Sequence, residues 1–167
     1  MEAFQSRDRA LLTVFYGCGL RRNEGVHLEL NDINFDRRML HVRKGKNYKE
    51  RFVPFNKKAS KLLEYYVFDY RPLLVKSKRE SRLFIGYRGT PMSGDGLYIR
   101  LKLLQLQIED IELQNKTIGL HTLRHSIATH LLEAGMPLDQ ISRFLGHSSL
   151  ESTQRYTHLI QKEDANF

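Results

Sequence analysis

The 167-residue sequence predicts an α+β fold that is mainly helical and carries a small three-stranded antiparallel sheet. Over most of the chain, apolar residues recur at helical spacing, and these segments end at glycine or proline. Between residues 33 and 54 the apolar residues instead alternate with polar ones over short runs, which is typical of strands with one buried face. The length fits a single domain, and an apolar content of 41% is enough for a hydrophobic core.

The first two predicted elements are helices on either side of a glycine turn. Ser6 is expected to cap the first helix, and Gly17 and Gly19 to end it. A second helix is predicted from about Asn23 to about Leu30, before the Asn-Asp pair that follows. The predicted inner face of the first helix consists of Ala10, Leu11, Val14 and Phe15.

Three short strands are predicted next, and they account for the small sheet. Their alternating residues are Ile33 and Phe35, then Leu40 and Val42, then Phe52 with its partners up to Pro54. A basic hairpin, Arg43–Arg51, joins the second strand to the third. Strands this short form a small sheet at a domain edge and not a sandwich.

The remaining elements are predicted to be helices, apart from a short buried run at Leu83–Ile85 and a connector at Asp110–Thr117. Glycine or proline marks most of the helix ends, including Pro72, Gly135 and Gly146. The predicted helices cover Lys57–Tyr70, about Leu97–Ile108, about Thr122–Ala134, Leu138–Leu145 and a last helix that begins with a capping box at Ser148.

Composition limits the class of partner and the compartment. The net charge of +8 and the isoelectric point near 9.7 favour a polyanionic partner, although a generically soluble basic protein is an equal alternative on charge alone. The single cysteine, Cys18, cannot form an internal disulfide and is expected to be a buried, inert thiol. No apolar run reaches the roughly 18–20 residues that span a bilayer, and no signal peptide is evident. We therefore expect a cytoplasmic, nucleoid-associated protein without membrane contact.

Four residues toward the C-terminus could bind and attack a phosphate. His121 and Arg124 are three apart at a predicted helix start, where both can point to one side and backbone donors favour an anion. His147 follows a glycine at a helix end, and a short helix would return Tyr156 to the same side. Each residue alone has a structural alternative: a helix-capping histidine, a surface arginine or a core tyrosine.

Two more groups of charged residues extend this candidate site. Arg21 follows the glycine turn, where backbone freedom allows its side chain to be directed toward a site. Glu24 is close enough to orient the Arg21 side chain. Only one of Arg21 and Arg22 is expected to face a given site. The hairpin carries five basic residues that could clamp a nucleic-acid backbone, or could simply protect an exposed edge loop from aggregation. They are Arg43, Lys44, Lys46, Lys49 and Arg51.

Histidine spacing raises the question of a metal site. His121 and His125 are four residues apart, as two ligands on one helix face can be. No H-E-x-x-H pattern, cysteine pair or nearby carboxylate completes a ligand set, so no metal is expected. His125 and His130 are expected to be structural and to pack against neighbouring helices.

Four blocks together resemble the catalytic domain of the tyrosine recombinases, the phage-integrase family. The blocks GCGLRRNE, GKNYKERFVPF, HTLRHSIATHLL and LGHSSLESTQRYTH occur in the family's order and cover almost the whole chain. The resemblance implies the tyrosine-recombinase catalytic (DNA breaking–rejoining) fold, with residues 1–167 as a single catalytic domain. The N-terminal core-DNA-binding domain that family members usually carry is expected to be absent from this chain.

The resemblance also implies the roles of individual residues. Glu24 corresponds to the family's supporting acid, and Lys44 is the alternative to Lys46 as the hairpin lysine, because the hairpin differs slightly in length from the commonest pattern. Arg43, Lys44, Lys49 and Arg51 are expected to contact DNA. The implied catalytic set is Arg21, Lys46, His121, Arg124, His147 and Tyr156.

The chemistry implied by this set is strand cleavage and rejoining without a metal or any other cofactor. Tyr156 would attack a DNA backbone phosphate to give a 3′-phosphotyrosine and a free 5′-hydroxyl, with His121 as candidate base and Lys46 as general acid. The expected partner is double-stranded DNA, bound by a homotetramer in the synaptic complex and a monomer when free. The alternatives are a catalytically silent DNA-binding relative and an enzyme similar to type IB topoisomerases.

Overall fold

The computed structural model describes residues 1–43 and 49–147, which contain eight α-helices and a three-stranded antiparallel sheet. This confirms the predicted α+β, mainly helical fold class. No helix in the described ranges is both long and apolar enough to cross a membrane. The elements are α1 Glu2–Leu12, α2 Arg22–Val26, β1 Ile33–Asn34, β2 Met39–Val42, β3 Arg51–Pro54, α3 Lys57–Glu64, α4 Arg71–Leu74, α5 Gly94–Gln105, α6 Ile111–Asn115, α7 Leu120–Glu133 and α8 Leu138–Leu145.

Helix α1 begins earlier than the sequence suggested. It starts at Glu2, so Ser6 is a buried residue inside the helix and the prediction of a Ser6 cap is wrong. A π-helical turn, Thr13–Gly17, continues the helix up to Cys18. The predicted inner face is confirmed, since all four of its residues are fully buried. Burial also raises the pKa of the Cys18 thiol to about 12, which agrees with an inert thiol.

Helix α2 is shorter than predicted, because the chain after it pairs with another segment. The helix ends at Val26, and a 3₁₀ turn at Leu30–Asp32 follows. Between them, Leu28 accepts a hydrogen bond from Leu83 N–H, and Leu30 N–H donates to Ser81. These tertiary bonds replace the helical bonds that a continuous helix to Leu30 would have required.

The sheet has the order β1-β2-β3, and its register reverses the expected orientation of Phe52. Leu40 pairs with Val53 and Val42 pairs with Arg51, so Arg51 and Val53 face the protein interior. Phe52 is 60% exposed and stacks on His41, with ring centroids 4.7 Å apart. The buried face of β3 therefore includes a charged residue that the alternation of apolar residues did not reveal.

The middle of the chain follows the prediction with two corrections. The predicted helix ending before Pro72 instead continues through a π-helical stretch into α4, where the proline occupies the first turn. Leu83–Ile85 is buried as predicted, and Leu83 accepts a hydrogen bond from the Tyr66 hydroxyl. The predicted connector contains the short helix α6.

Helices α7 and α8 end at the predicted glycines and pack against each other. Gly135 and Gly146 both adopt positive φ values of 83° and 64°, which end the helices in the left-handed conformation. A second, smaller apolar cluster of Ala128, Ile141 and Leu145 lies between the two helices, apart from the main core.

Candidate active site

Glu24 is the centre of the candidate site. It lies in the first turn of α2, its side chain is fully buried, and its carboxylate accepts a 2.7 Å hydrogen bond from the backbone N–H of Arg21. Arg21, immediately before the helix, also donates from Nη1 to the same carboxylate at 3.0 Å. The expectation that Glu24 lies close enough to Arg21 to orient it agrees with this geometry, because both the backbone N–H and the side chain of Arg21 donate to the Glu24 carboxylate.

Two further arginines converge on this carboxylate from distant parts of the chain. Arg51 donates from Nη1 and Nη2 to the two oxygens of Glu24 at 2.8 and 2.9 Å, a bidentate pair. Arg124 Nη1 lies 3.9 Å from Glu24 Oε2. Burial would raise the pKa of Glu24, but the hydrogen bonds and charge of Arg51, the Arg21 N–H and the charge of Arg124 together hold that pKa below its ordinary 4.5.

The same three guanidinium groups bind the C-terminal carbonyls of α8. Arg51 Nε donates to Phe144 O at 2.9 Å, and Arg124 donates to Leu145 O and Gly19 O, both at 2.6 Å. Arg21 donates to the carbonyls of residues 145 and 146 at 3.4 Å. Because a helix C-terminus carries partial negative charge and unpaired carbonyls, it is a favourable place for cations.

His147 follows this helix end and is within the field of the arginines. Burial is the largest cause that lowers its pKa, and the charges of Arg124, Arg21 and Arg51 lower it further, to about 4. At neutral pH the imidazole is therefore uncharged, and it can donate one hydrogen bond without adding positive charge.

An open cleft of about 460 Å³ lies over the cluster. His121, an exposed residue in the first turn of α7, lies along this cleft, as do both Arg21 and Arg124. The cleft residues are Arg21, Arg22, Asp95, Tyr98, Leu120, His121 and Arg124. Four of the predicted residues, Arg21, His121, Arg124 and His147, are thus brought to one region by α2, α7 and the end of α8.

Three polar residues of the cleft were not identified as site residues from the sequence. Arg22 lines the cleft beside Arg21, contrary to the expectation that only one of them could face a site, because Arg21 is still extended while Arg22 is already helical. Arg22 Nη1 lies 3.3 Å from Asp95 Oδ1 on α5, and Tyr98 is one turn further along that helix. A lone Asp or Tyr on a helix carries no sequence signal for such a position.

The basic residues of the predicted hairpin have different environments. Lys44, Lys46 and also Tyr156 lie outside the described residues. Lys49 is exposed, and Arg43 is half-exposed and forms ion pairs with Glu29 and Asp32 at 2.8 and 2.7 Å.

The structure corrects the expectation that Arg51 contacts DNA. Its side chain is 6% exposed, and all three of its guanidinium nitrogens donate to protein groups in the interior. The physical reason is the register of β3, which places residue 51 on the buried face, where Glu24 needs a counter-charge.

Histidines outside this cluster make local contacts. His130 Nδ1 lies 2.7 Å from the Tyr16 hydroxyl and connects α7 to the turn after α1. The ring of His125 contacts that of His121 edge-on, with centroids 6.2 Å apart. Within residues 1–43 and 49–147, no group of three or more histidine, cysteine, aspartate or glutamate side chains is arranged to hold a metal ion.

Comparison with protein families and curated sequences gives one consistent result. The model of the family described as "Phage integrase family" matches residues 1–163. The tyrosine recombinase XerD of Pseudomonas putida is 41% identical over 160 residues, which are 96% of this chain and 52% of that protein. The tyrosine recombinase XerC of Pelotomaculum thermopropionicum is 41% identical over 157 residues, 92% of this chain and 50% of that protein. The chain thus spans about half the length of the curated relatives it matches.

Solved structures give the same fold. The crystal structure of XerA recombinase superimposes with a TM-score of 0.79 at 28% identity, covering 94% of this chain and 56% of that chain. XerH site-specific recombinase bound to palindromic difH substrate, in a post-cleavage complex, also gives 0.79 at 27% identity, covering 99% of this chain and 46% of that chain. The similarity extends over nearly all of the chain, so the fold is that of the catalytic part of these recombinases.

Proposed function

Because the chain belongs to the phage integrase family of tyrosine recombinases, we propose that it is the catalytic domain, residues 1–167, of a site-specific DNA recombinase. The observation that carries this proposal is the convergence of Arg21 and Arg124 on Glu24, beside His147 and beneath a cleft that His121 also lines. Three guanidinium groups around a single carboxylate leave a net positive charge. This favours a phosphodiester in the cleft.

In the proposed reaction, Tyr156 attacks a DNA backbone phosphate and displaces the 5′-oxygen of the next nucleotide. A tyrosine hydroxyl has an ordinary pKa near 10, so it needs a proton acceptor, and His121 at the cleft is the proposed base. The bond to the 5′-oxygen breaks as the O–P bond to Tyr156 forms, and Lys46 protonates the leaving 5′-oxygen, with Lys44 as the alternative donor. The product is a 3′-phosphotyrosine and a free 5′-hydroxyl.

Arg21 and Arg124 stabilise the charge that develops on the non-bridging oxygens. They are already oriented by Glu24 and by the α8 carbonyls, so little reorganisation is needed when the phosphate binds. His147, neutral at physiological pH, donates a further hydrogen bond. These groups provide the positive charge that a metal ion provides in many phosphoryl-transfer enzymes, and we expect activity without metal or any other cofactor.

The proposed partner is double-stranded DNA, in line with the net charge of +8. Lys49 and Arg43, on either side of the predicted hairpin tip, are proposed backbone contacts. Strand exchange follows when the 5′-hydroxyl of a partner duplex attacks the phosphotyrosine, which we propose takes place in a homotetramer assembled on DNA from free monomers. The proposed working place is the nucleoid.

Covalent capture of DNA tests this function without knowledge of the target site. The chain is mixed with a library of duplexes of randomised sequence. Each duplex carries one nick, placed one nucleotide downstream of the phosphate that is tested. Cleavage at that phosphate releases a single nucleotide, so the covalent adduct cannot religate. Denaturing electrophoresis then detects protein joined to the 3′ end of DNA. We expect an adduct in EDTA for the native chain and none for Tyr156→Phe, which should bind DNA equally well.

Other outcomes identify the alternatives. DNA binding without any adduct would indicate a silent DNA-binding relative. Adduct formation accompanied by relaxation of supercoiled plasmid without products containing two duplexes would indicate topoisomerase-like chemistry. Cleavage that requires a divalent metal and survives Tyr156→Phe would overturn the proposal.

A further inference from the structure

Arg51 differs from the other basic residues near the hairpin because its charge is turned inward. We propose that Arg51 is a positioning residue of the cleavage site, which neutralises Glu24 and fixes the end of α8 so that Arg21 and Arg124 are presented to the phosphate. This inference rests on the proposed function. Arg51 is 8% exposed as a residue and, unlike Arg21 and Arg124, is not among the residues that line the cleft.

The first step of the argument concerns charge. Arg51 occupies both oxygens of Glu24 in a bidentate pair, whereas Arg124 lies 3.9 Å from one oxygen and Arg21 donates to one oxygen through its side chain. The strongest partner of the carboxylate is thus an arginine that is not among the residues lining the cleft. Glu24 can orient the two cleft arginines while Arg51 balances its charge, and this leaves their positive charge for an incoming phosphate.

The second step concerns geometry at the end of α8. The donors of Arg51, Arg124 and Arg21 are distributed over three consecutive carbonyls, 144 to 146, with Arg51 on the first. The backbone at Gly146 passes so close to Arg51 that a Cβ there would lie 2.7 Å from its Cδ. Arg51 therefore contacts both the carboxylate that orients Arg21 and the helix end that precedes His147.

A purely structural arginine is available for comparison in the same chain. Arg71 is also buried, but among the described residues its guanidinium donates to the backbone carbonyls of Glu80 and Arg82, away from the cleft. Burial lowers the pKa of Arg71, with opposing effects from Tyr66 and Glu80. Replacing Arg71 should destabilise the fold without changing the anion site, which makes Arg71→Gln the matched control.

The experiment uses the full chain and three variants: Arg51→Lys, Arg51→Gln and Arg71→Gln. Orthovanadate, a phosphate mimic, is titrated by calorimetry at a temperature where each variant is folded, and the His147 pKa is measured by NMR. We expect Arg51→Gln to weaken vanadate binding by about tenfold or more, because Glu24 then neutralises the cleft arginines. The His147 pKa should also rise toward its ordinary 6.5, since one of the charges that lowers it is gone.

Arg51→Lys separates charge from geometry. A lysine keeps the positive charge, so the His147 pKa should remain low, but it cannot reach both Glu24 and the carbonyl of Phe144, so vanadate affinity should recover only in part. Arg71→Gln should lower the melting temperature and leave both vanadate affinity and the His147 pKa unchanged.

The inference is overturned if both Arg51 variants bind vanadate like the native chain and keep its His147 pKa, whatever their melting temperatures. Failure of the proposed function looks different, because the native chain itself would then give no covalent DNA adduct. If the native chain forms the adduct and Arg51→Lys forms it at the native rate, recombinase chemistry stands and the positioning role of Arg51 does not.

Discussion

At the scale of single residues, the site depends on one buried carboxylate that would be costly without its partners. Glu24 is removed from water, and an unpaired charge there would be strongly unfavourable. Arginine suits this position better than lysine, because its planar fork satisfies both carboxylate oxygens and still has an Nε donor for a helix carbonyl. Arg51 uses all of these donors, so a single side chain connects β3, α2 and α8.

Glu24→Gln should lower the free energy of unfolding by about 3 kcal/mol near neutral pH. The amide has nearly the same shape, but it leaves three neighbouring guanidinium groups without their counter-charge. Urea denaturation of both proteins measures the difference. Glu112→Gln is the control, because this exposed carboxylate pairs only with Lys116 on the surface and should change stability by less than about 0.5 kcal/mol.

The dependence of this difference on pH follows from the lowered pKa of Glu24. The folded-state pKa is below the ordinary 4.5, so the stabilisation is complete above that value and is lost as the pH falls through the folded pKa. The native chain and Glu24→Gln should therefore approach equal stability in acid. If the difference in the free energy of unfolding between the two proteins stays constant as the pH falls through the folded-state pKa of Glu24, the ion pairs of Glu24 contribute little to stability.

The residue types of the site were predictable from the sequence, but their directions were not. Arg21, Glu24, Arg124 and His147 were all identified by motif and spacing, and they do lie together. Arg51 was expected on the outside because it is one of the basic residues of the predicted hairpin, which were assigned to DNA contact. In the structure Arg51 is buried instead, because it forms an ion pair with Glu24. Glu24 lies 27 positions away in the sequence, so the alternation of residues within the strand cannot predict this pair.

At the scale of secondary-structure elements, glycine at helix ends has two different functions in this chain. Gly135 and Gly146 both end helices with positive φ. A Cβ at Gly135 would meet nothing within 4 Å, whereas one at Gly146 would lie 2.7 Å from Arg51 Cδ and 2.9 Å from its Nη1. The first glycine provides only conformational freedom, while the second also allows the close approach of helix and guanidinium.

Alanine at each of these positions should reveal the difference. Gly135→Ala should cost about 1–2 kcal/mol, which is the cost of a left-handed conformation for a residue with a Cβ. Gly146→Ala should cost clearly more and should also weaken vanadate binding, because Arg51 would have to leave Glu24 or Phe144. Denaturant titrations and vanadate calorimetry measure the two effects. Equal costs at both positions, with vanadate affinity unchanged, would contradict this role for Gly146.

Element boundaries were predicted well where the signal is local and poorly where it is tertiary. The ends of α7 and α8 follow from glycine alone, as expected from sequence. The end of α2 does not, because the residues after it bond to the segment around Leu83. Pro72 was also misjudged: it lies in the first turn of α4, directly after a π-helical stretch, and a proline is tolerated in the first turn of a helix.

At the scale of the whole molecule, the candidate site lies between two apolar clusters of unequal size. We call the parts around them units: the part that packs on the main core, and α8 with the side of α7 that packs against it. Arg21 and Glu24 belong to the part that packs on the main core, because α2 lies against α5 and against the π-helical turn after α1. Arg124 and His147 belong to α7 and α8, which enclose the smaller cluster around Ile141. The site is therefore one of the connections between these units, because Arg51 and Arg21 bind the end of α8 across the boundary.

Native-state hydrogen exchange should detect this unequal stability. Since α8 encloses little apolar surface among the described residues, its amides should exchange through a partial opening of lower free energy than those around Leu11 in α1. Orthovanadate should slow exchange in α8 more than in α1, because an anion held by Arg21 and Arg124 joins the two units and stabilises only the closed form. In Arg71→Gln the same selective protection should remain, whereas Arg51→Gln should lose much of it. If α8 and α1 exchange with equal free energies, and vanadate protects them equally, the two units open together and the site is not the boundary between them.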